Sequence, residues 1–157
     1  MPITVGLISD THGLLRASAM YALEGVHLIL HAGDVGGRDV LIELGALAPV
    51  HAVYGNVDDI HTPELEAHRW LTLEGLQIHV SHGHELGRPT PDAALHAYAD
   101  ADVIVFGHTH RALVHRAGRR LVVNPGAAGP KRFDVVPSVA RLHLAQGEAD
   151  VEIVPID

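Results

Sequence analysis

The chain has 157 residues, 47% of them hydrophobic, which suits one domain over residues 1–157 with a real core. It contains no cysteine, which excludes disulfides, thiolate metal sites and cysteine nucleophiles, so any metal must be held by nitrogen and oxygen. A formal net charge of -8 argues against broad binding to nucleic acid or an anionic membrane, and no apolar run approaches the roughly 20 residues of a membrane span.

In chain order, Ile3-Thr4-Val5-Gly6-Leu7-Ile8 is almost continuously apolar and predicts a strand buried on both faces. Leu14 to Gly25 follows as a helix, with Leu15, Ala19 and Ala22 at helical spacing and Gly25 as its stop. His27-Leu28-Ile29-Leu30 predicts a second strand, Val40 to Ala48 a second amphipathic helix, and Val50 to Val53 a third strand. This alternation implies a parallel sheet with crossover helices.

The second half reads differently. Leu71 to Leu73 and Leu76 to Val80 form a hairpin about Glu74-Gly75. A helix capped by Thr90, with Pro91 at its first position, covers Ala93 to Ala99. Strands are expected over Val103–Phe106, Ala112–His115, Leu121–Val123, Val139–Leu144 and Val151–Val154. Together these elements predict a mixed α/β sandwich. The opening Met1-Pro2-Ile3-Thr4-Val5 lacks the basic-then-apolar pattern of a secretory leader, so the expectation is a cytoplasmic protein.

Metal-capable side chains recur just after the apolar strands, in short glycine-marked turns. Asp10 and His12 follow the first strand, Asp34 the second and Asn56 the third. His82 follows the hairpin strand, and His108 with His110 follow Val103–Phe106. Singly, Asp-x-His, Gly-Asp and Gly-Asn are ordinary turn sequences. Their conjunction at successive strand ends points to a metal centre. Carboxylate, carboxamide and imidazole donors suit manganese, with nickel, iron, cobalt or zinc as alternatives, better than magnesium or calcium. Two ions about 3.5 to 4 Å apart need a bridging ligand, and Asp34 is the candidate.

These motifs, Ser9-Asp10-Thr11-His12-Gly13, Gly33-Asp34, Gly55-Asn56, His82-Gly83-His84 and Gly107-His108-Thr109-His110, resemble those of the calcineurin-like metallophosphoesterases in order and spacing. The short length and the Asn124-Pro125-Gly126 turn are similar to the YfcE-like small phosphodiesterase subgroup. The resemblance covers about Ile3 to Arg132 and implies a four-layer sandwich, two mixed β-sheets flanked by helices. It implies two divalent metal ions, one held by Asp10, His12, Asp34 and His110, the other by Asp34, Asn56, His82 and His108. It further implies in-line attack on phosphorus by a metal-bridging hydroxide, with Asn56 touching both metal and phosphate.

One position departs from the family pattern. Many phosphomonoesterases of this superfamily carry a proton-donating histidine directly after the motif asparagine, and here Val57 stands there. General-acid help is commonly worth about a hundred- to ten-thousandfold, so its loss favours diesters or esters with good leaving groups. Asp58 and His84 are polar neighbours: Asp58 substitutes for the donor or only closes the turn, and His84 supports the site from behind the ligands or is simply exposed. His31 orients a ligand or packs. The remaining histidines, and Arg88, Lys131 and Arg132, have no motif support. The expected substrate is a small phosphate ester, with nucleic acid and membranes disfavoured and a homodimer a candidate assembly. Alternatives are a phosphomonoesterase or nuclease on the same fold, or a non-catalytic scaffold such as the retromer subunit of this superfamily.

Overall fold

The computed structural model describes residues 2–132 and 134–157; Met1 and Phe133 lie outside the described residues. Two mixed sheets form the centre. The first orders β11 (Glu148–Pro155), β10 (Ser138–Ala145), β1 (Ile3–Ile8), β2 (Leu28–His31), β3 (Val50–Val53) and β4 (Leu65–Glu66) side by side. The second orders β5 (His68–Leu73), β6 (Leu76–Ser81), β7 (Val103–Val105), β9 (Arg120–Asn124) and β8 (Leu113–Ala117).

The side-chain period of two explains the layers. Val5 and Leu7 of β1, Leu30 of β2 and Leu142 of β10 share one buried core with Ile78, Val80, Val105 and Val123 of the other sheet. The alternate residues face outward. Ile8 and Ile29 pack with Ala19 of α1 (Ala17–Ala22) and with Val40 and Leu44 of α2 (Arg38–Gly45). Ile104 and Val122 pack with Ala94 of α3 (Pro91–Ala97). Strands covered on both faces need apolar residues at every position, which is why β1 and β7 carry no polar alternation. The order helix, sheet, sheet, helix is the expected four-layer sandwich.

Four differences from the sequence reading have local causes. α1 starts at Ala17 rather than Leu14, because Leu14 N–H closes a turn on the Thr11 carbonyl and Arg16 is extended while its Nε bonds the Gly129 carbonyl. β4 is two residues long, too short for periodicity to reveal. β10 and β11 return to the first sheet, with β10 antiparallel to β1. Finally, β6, β7 and β9 run parallel, so the second half contains its own crossover through α3 and is not built from hairpins alone. The Thr90 cap is as expected: its side chain accepts from Ala93 N–H at 3.1 Å, with Pro91 opening the helix.

Candidate metal centre at the strand ends

Every predicted donor leaves the C-terminal end of a strand: Asp10 and His12 after β1, Asp34 after β2, Asn56 after β3, His82 after β6, and His108 and His110 after β7. Five of them, Asp10, His12, Asp34, His108 and His110, have left-handed backbones with φ between 47° and 71°. This conformation costs an ordinary L-residue roughly 1–2 kcal/mol. Among the described residues the other non-glycines that adopt it are Glu74 and Gln146, both in hairpin turns. Backbone bonds hold the strained loops together: Asp10 N–H to the Gly33 carbonyl, His12 N–H to the Asp34 carbonyl, and Gly107 N–H to the His82 carbonyl, each about 3 Å.

The motif glycines are there for close approach. A Cβ on Gly55 would lie 2.0 Å from Asp34 Oδ1, and one on Gly107 2.0 Å from Ser9 Oγ. Any larger residue would push the loops apart and move the carboxylates they surround.

The seven side chains form one connected cluster. Asp10 Oδ1 is 3.3 Å from His110 Nε2 and 3.8 Å from both His12 Nε2 and His82 Nε2. Asp34 Oδ2 is 3.3 Å from His82 Nε2 and 3.7 Å from His12 Nε2. Asn56 Oδ1 lies 3.0 Å from His82 Nε2 and 3.2 Å from His108 Nδ1. Two subsets bring their donor atoms within 4.8 Å of one another: Asp10, His12 and His110, and Asp10, Asp34 and His82. Asp10 is thus common to both subsets, while Asp34 also spans the gap between His12 and His82.

The outer oxygens and nitrogens are already used, which orients the inner ones. Asp10 Oδ2 accepts from Ser9 Oγ at 2.7 Å and from His108 N–H at 3.1 Å. Asp34 Oδ1 accepts from Val57 N–H at 3.0 Å. His82 donates Nδ1–H to the Ala32 carbonyl at 2.7 Å, turning Nε2 toward the cluster. What remains is informative: Asp10 Oδ1 and His12 Nε2 are buried and have no hydrogen-bond partner. Unsatisfied buried acceptors are costly and rare, and here two of them face the same space. A divalent cation would satisfy both, so the donors present fit the expected metal.

Electrostatics agree with an anionic pocket. Burial pushes the Asp10 carboxyl up, but the neighbouring His110 and His82 imidazoles and the Ser9 hydroxyl outweigh it and hold the group below the usual carboxylate range. Asp34 is likewise opposed by burial, yet His82 and the Val57 amide lower it to about 2. Burial disfavours charge on His82, and the Asp34 contact with the Asp10 and Asp34 charges more than compensates, raising it. His108 is lowered, by burial first and by the His82 charge second.

The supporting residues divide cleanly. Asp58 closes the turn: Oδ2 accepts from Val35 and Gly55 N–H at 3.0 and 2.9 Å, and Oδ1 from Gly36 N–H at 3.1 Å. With three backbone donors on its carboxylate, it is an anchor for two of the loops. His31 is fully buried, accepts Gly33 N–H on Nδ1 at 3.1 Å and contacts Thr11 Oγ1 through Nε2 at 3.0 Å. Burial lowers it to about 4, so it is a neutral strut between the first two loops. His84 stands at the rim, its ring 5.4 Å from that of His82 and 6.3 Å from that of His108, with Nδ1 3.9 Å from Glu85 Oε1. Sequence reasoning misses Glu85, which accepts Gly83 N–H at 2.9 Å, Ser81 Oγ at 2.7 Å and Tyr98 Oη at 2.5 Å and so pins the loop after His82. No spacing rule marks it. Asn124 acts likewise on the last motif, donating to the Gly107 carbonyl and Thr109 Oγ1, each at 3.0 Å.

The two-sheet α/β sandwich pools oxygen and imidazole donors at its strand ends, a donor set suited to divalent cations. A profile of the calcineurin-like phosphoesterase superfamily domain matches residues 3–147, and the chain belongs to that superfamily. It is 35% identical over 157 residues to a probable metallophosphoesterase of Methanothermobacter thermautotrophicus, covering 96% of this chain and 91% of the relative. It is 31% identical over 143 residues to the phosphodiesterase YfcE of Escherichia coli, covering 76% of each. Among solved structures, vacuolar protein sorting 29 from Cryptosporidium parvum superposes with a TM-score of 0.83 over 99% of this chain and 98% of that one. At 20% identity that likeness speaks for the fold alone.

Proposed function

We propose that this chain hydrolyses phosphate esters, diesters foremost, at a centre of two divalent cations with manganese the first candidate and nickel, iron, cobalt or zinc the others. The observation that carries the reading is the pair of buried, partnerless atoms, Asp10 Oδ1 and His12 Nε2, facing one cluster of imidazoles and carboxylates. Asp10, His12 and His110 would hold one cation, and Asn56, His82 and His108 the other, with Asp34 reaching both. When bound, such cations supply Lewis-acid polarisation of phosphoryl oxygens and a water acidic enough to act near neutral pH.

The chain's own residues set the rest. Ser9, Ala32 and the Val57 amide fix the directions of Asp10, His82 and Asp34, so little reorganisation accompanies substrate binding. Asn56 offers its amide NH2 to a phosphoryl oxygen once its Oδ1 is engaged on the cluster side. Val57 has no proton to give to a leaving oxygen, and Asp58, whose carboxylate is taken up by backbone amides, does not replace it. His84, at the rim, is a proton donor beside the cluster but does not stand at the position that Val57 occupies. This supports a preference for leaving groups that depart without protonation, as in activated diesters. The layers share their strands, which supports residues 1–157 acting as one domain.

The test is reconstitution of metal-stripped protein with manganese, nickel, zinc or magnesium, comparing bis-p-nitrophenyl phosphate with p-nitrophenyl phosphate and using Asp34→Ala as control. Metal-dependent cleavage that favours the diester and is lost in the control is the expected result. Two bound ions per chain with no turnover on either ester would shift the assignment to protein interaction.

A further inference from the structure

Beside the donor cluster, the connection from β2 to α2 and the connection from β3 to β4 enclose a cavity of about 310 Å³. Val35, Leu41, Val57 and Leu65 supply its apolar wall. None of the seven donors lines it, but it is walled by the loops that carry two of them, Asp34 and Asn56. Val57 directly follows Asn56 and its amide is bonded to Asp34 Oδ1 at 3.0 Å, and Gly36, two residues beyond Asp34, lies on the cavity's other side.

Its polar groups are largely spoken for. Both Asp58 oxygens accept backbone amides, Asp59 Oδ1 accepts His61 N–H at 2.9 Å, and the Arg38 guanidinium pairs with Glu64. The one cation among the lining residues, Arg38, is shared with Glu64, and Asp58 and Asp59 disfavour a second phosphate. Thr62 lines the cavity with a hydroxyl that has no partner among the described residues. Meanwhile Val57 is 60% exposed, and Ile60 on the same loop is 57% exposed, so apolar surface stands in solvent at the edge of a polar site. The volume lies at the small end for ligand pockets and admits one compact group.

We infer that this cavity is the subsite for one organic ester substituent of the substrate, and that it selects a compact uncharged ring or branched alkyl group over a substituent bearing a second phosphate. The inference rests on the phosphoesterase reading for the position of the phosphate, but the two can fail separately.

The experiment compares binding of phenylphosphonate and methylphosphonate to the zinc-loaded protein by calorimetry, with amide chemical shifts locating the ligand. Burial of one ring face predicts about tenfold tighter binding of the phenyl compound, with shifts at Val57 and Thr62. Thr62→Trp fills the cavity, so the two phosphonates then bind alike and KM for bis-p-nitrophenyl phosphate rises. Should that variant not fold, Val57→Ser, at a half-exposed position, lowers the phenyl preference severalfold. Equal binding of the two phosphonates by the parent protein, or a phenyl preference that survives folded Thr62→Trp, overturns the subsite, and binding of neither overturns the phosphoesterase reading together with it. Absence of hydrolysis with the phenyl preference intact leaves the subsite standing and counts against catalysis alone.

Discussion

The two ends of the sandwich use the same backbone conformation for different purposes. At the end opposite the donor cluster, Glu74-Gly75 joins β5 to β6 and Gln146-Gly147 joins β10 to β11, each pair with φ between 50° and 79°. Consecutive left-handed residues match the twist of the strands they connect, so the strain is repaid locally by tight hairpins. At the donor end, Asp10, His12, Asp34, His108 and His110 are left-handed where no hairpin requires it. There the conformation aims side chains at one another. A cavity larger than the one beside the cluster lies at the hairpin end, about 550 Å³ between Thr4, Arg116, His143 and Asp150, but Arg116 is bonded to the Ala149 carbonyl and to Asp150 at 2.8 and 3.3 Å. Size does not locate the chemistry. Two buried, partnerless ligand atoms facing one space, Asp10 Oδ1 and His12 Nε2, are the better guide.

The sharpest way to break this contrast is to remove such a donor while keeping its shape. Asp10→Asn leaves an acceptor for Ser9 and the His108 amide but removes the charge that His12, His82 and His110 face. Loss of several kcal/mol of transition-state stabilisation predicts a fall in kcat/KM on the order of a thousandfold or more. Metal-free stability should fall modestly, because the folded site holds the Asp10 carboxyl below the usual carboxylate range and so favours the charge that the substitution removes. Parallel rate and urea-unfolding measurements on the metal-free protein check both halves. Unchanged turnover would mean that the strained loops serve something other than the cation site.

Much of this end was legible in advance. Asp10, Asp34, Asn56, His82 and the His108/His110 pair were recognisable because each follows an apolar run, and strand ends are where sheets gather distant residues. The family profile shows the superfamily that those motifs suggested. What was not legible is non-local. The pairing of β10 with β1 depends on contacts between residues more than a hundred positions apart. Glu85 is exposed to no periodicity rule, and its role appears only when Gly83, Ser81 and Tyr98 meet on its carboxylate. Asp58, ambiguous as sequence, is resolved by three amides from two loops.

A histidine outside the donor set offers a second, smaller comparison. His79 of β6 is fully buried, stacked on Tyr98 with ring centroids 3.6 Å apart and edge-on to Trp70, with Nε2 3.0 Å from His68 Nδ1. Burial, and then the His68 charge, lower it to about 4 against a slight opposing pull from Glu85. The unfolded chain takes up this proton near pH 6.5 and the folded one resists until about pH 4. Its contribution to stability is therefore fully present above pH 6.5 and declines as the pH falls toward 4, by up to about 3 kcal/mol. His79→Phe keeps the stack and removes the titration, so its urea-unfolding free energy should fall less steeply across that window than that of the parent. An equal slope would place the acid sensitivity elsewhere, in the donor cluster.

The smallest effect tests the hairpin side directly. At Gln146, with φ 53°, the left-handed backbone does nothing for the side chain, which lies in the turn between β10 and the edge strand β11. Gln146→Gly removes the Cβ clash while adding backbone freedom to the unfolded chain, and the balance predicts a gain of about 0.5–1 kcal/mol. At His110, with φ 63°, the same substitution relieves the same clash but deletes the imidazole 3.3 Å from Asp10 Oδ1. It should therefore leave the thermal midpoint of metal-free protein no lower than modestly changed while abolishing most turnover. If instead Gln146→Gly destabilised the chain as much as His110→Gly, left-handed strain would be a general feature of these loops, and its concentration at the donors would carry no functional meaning.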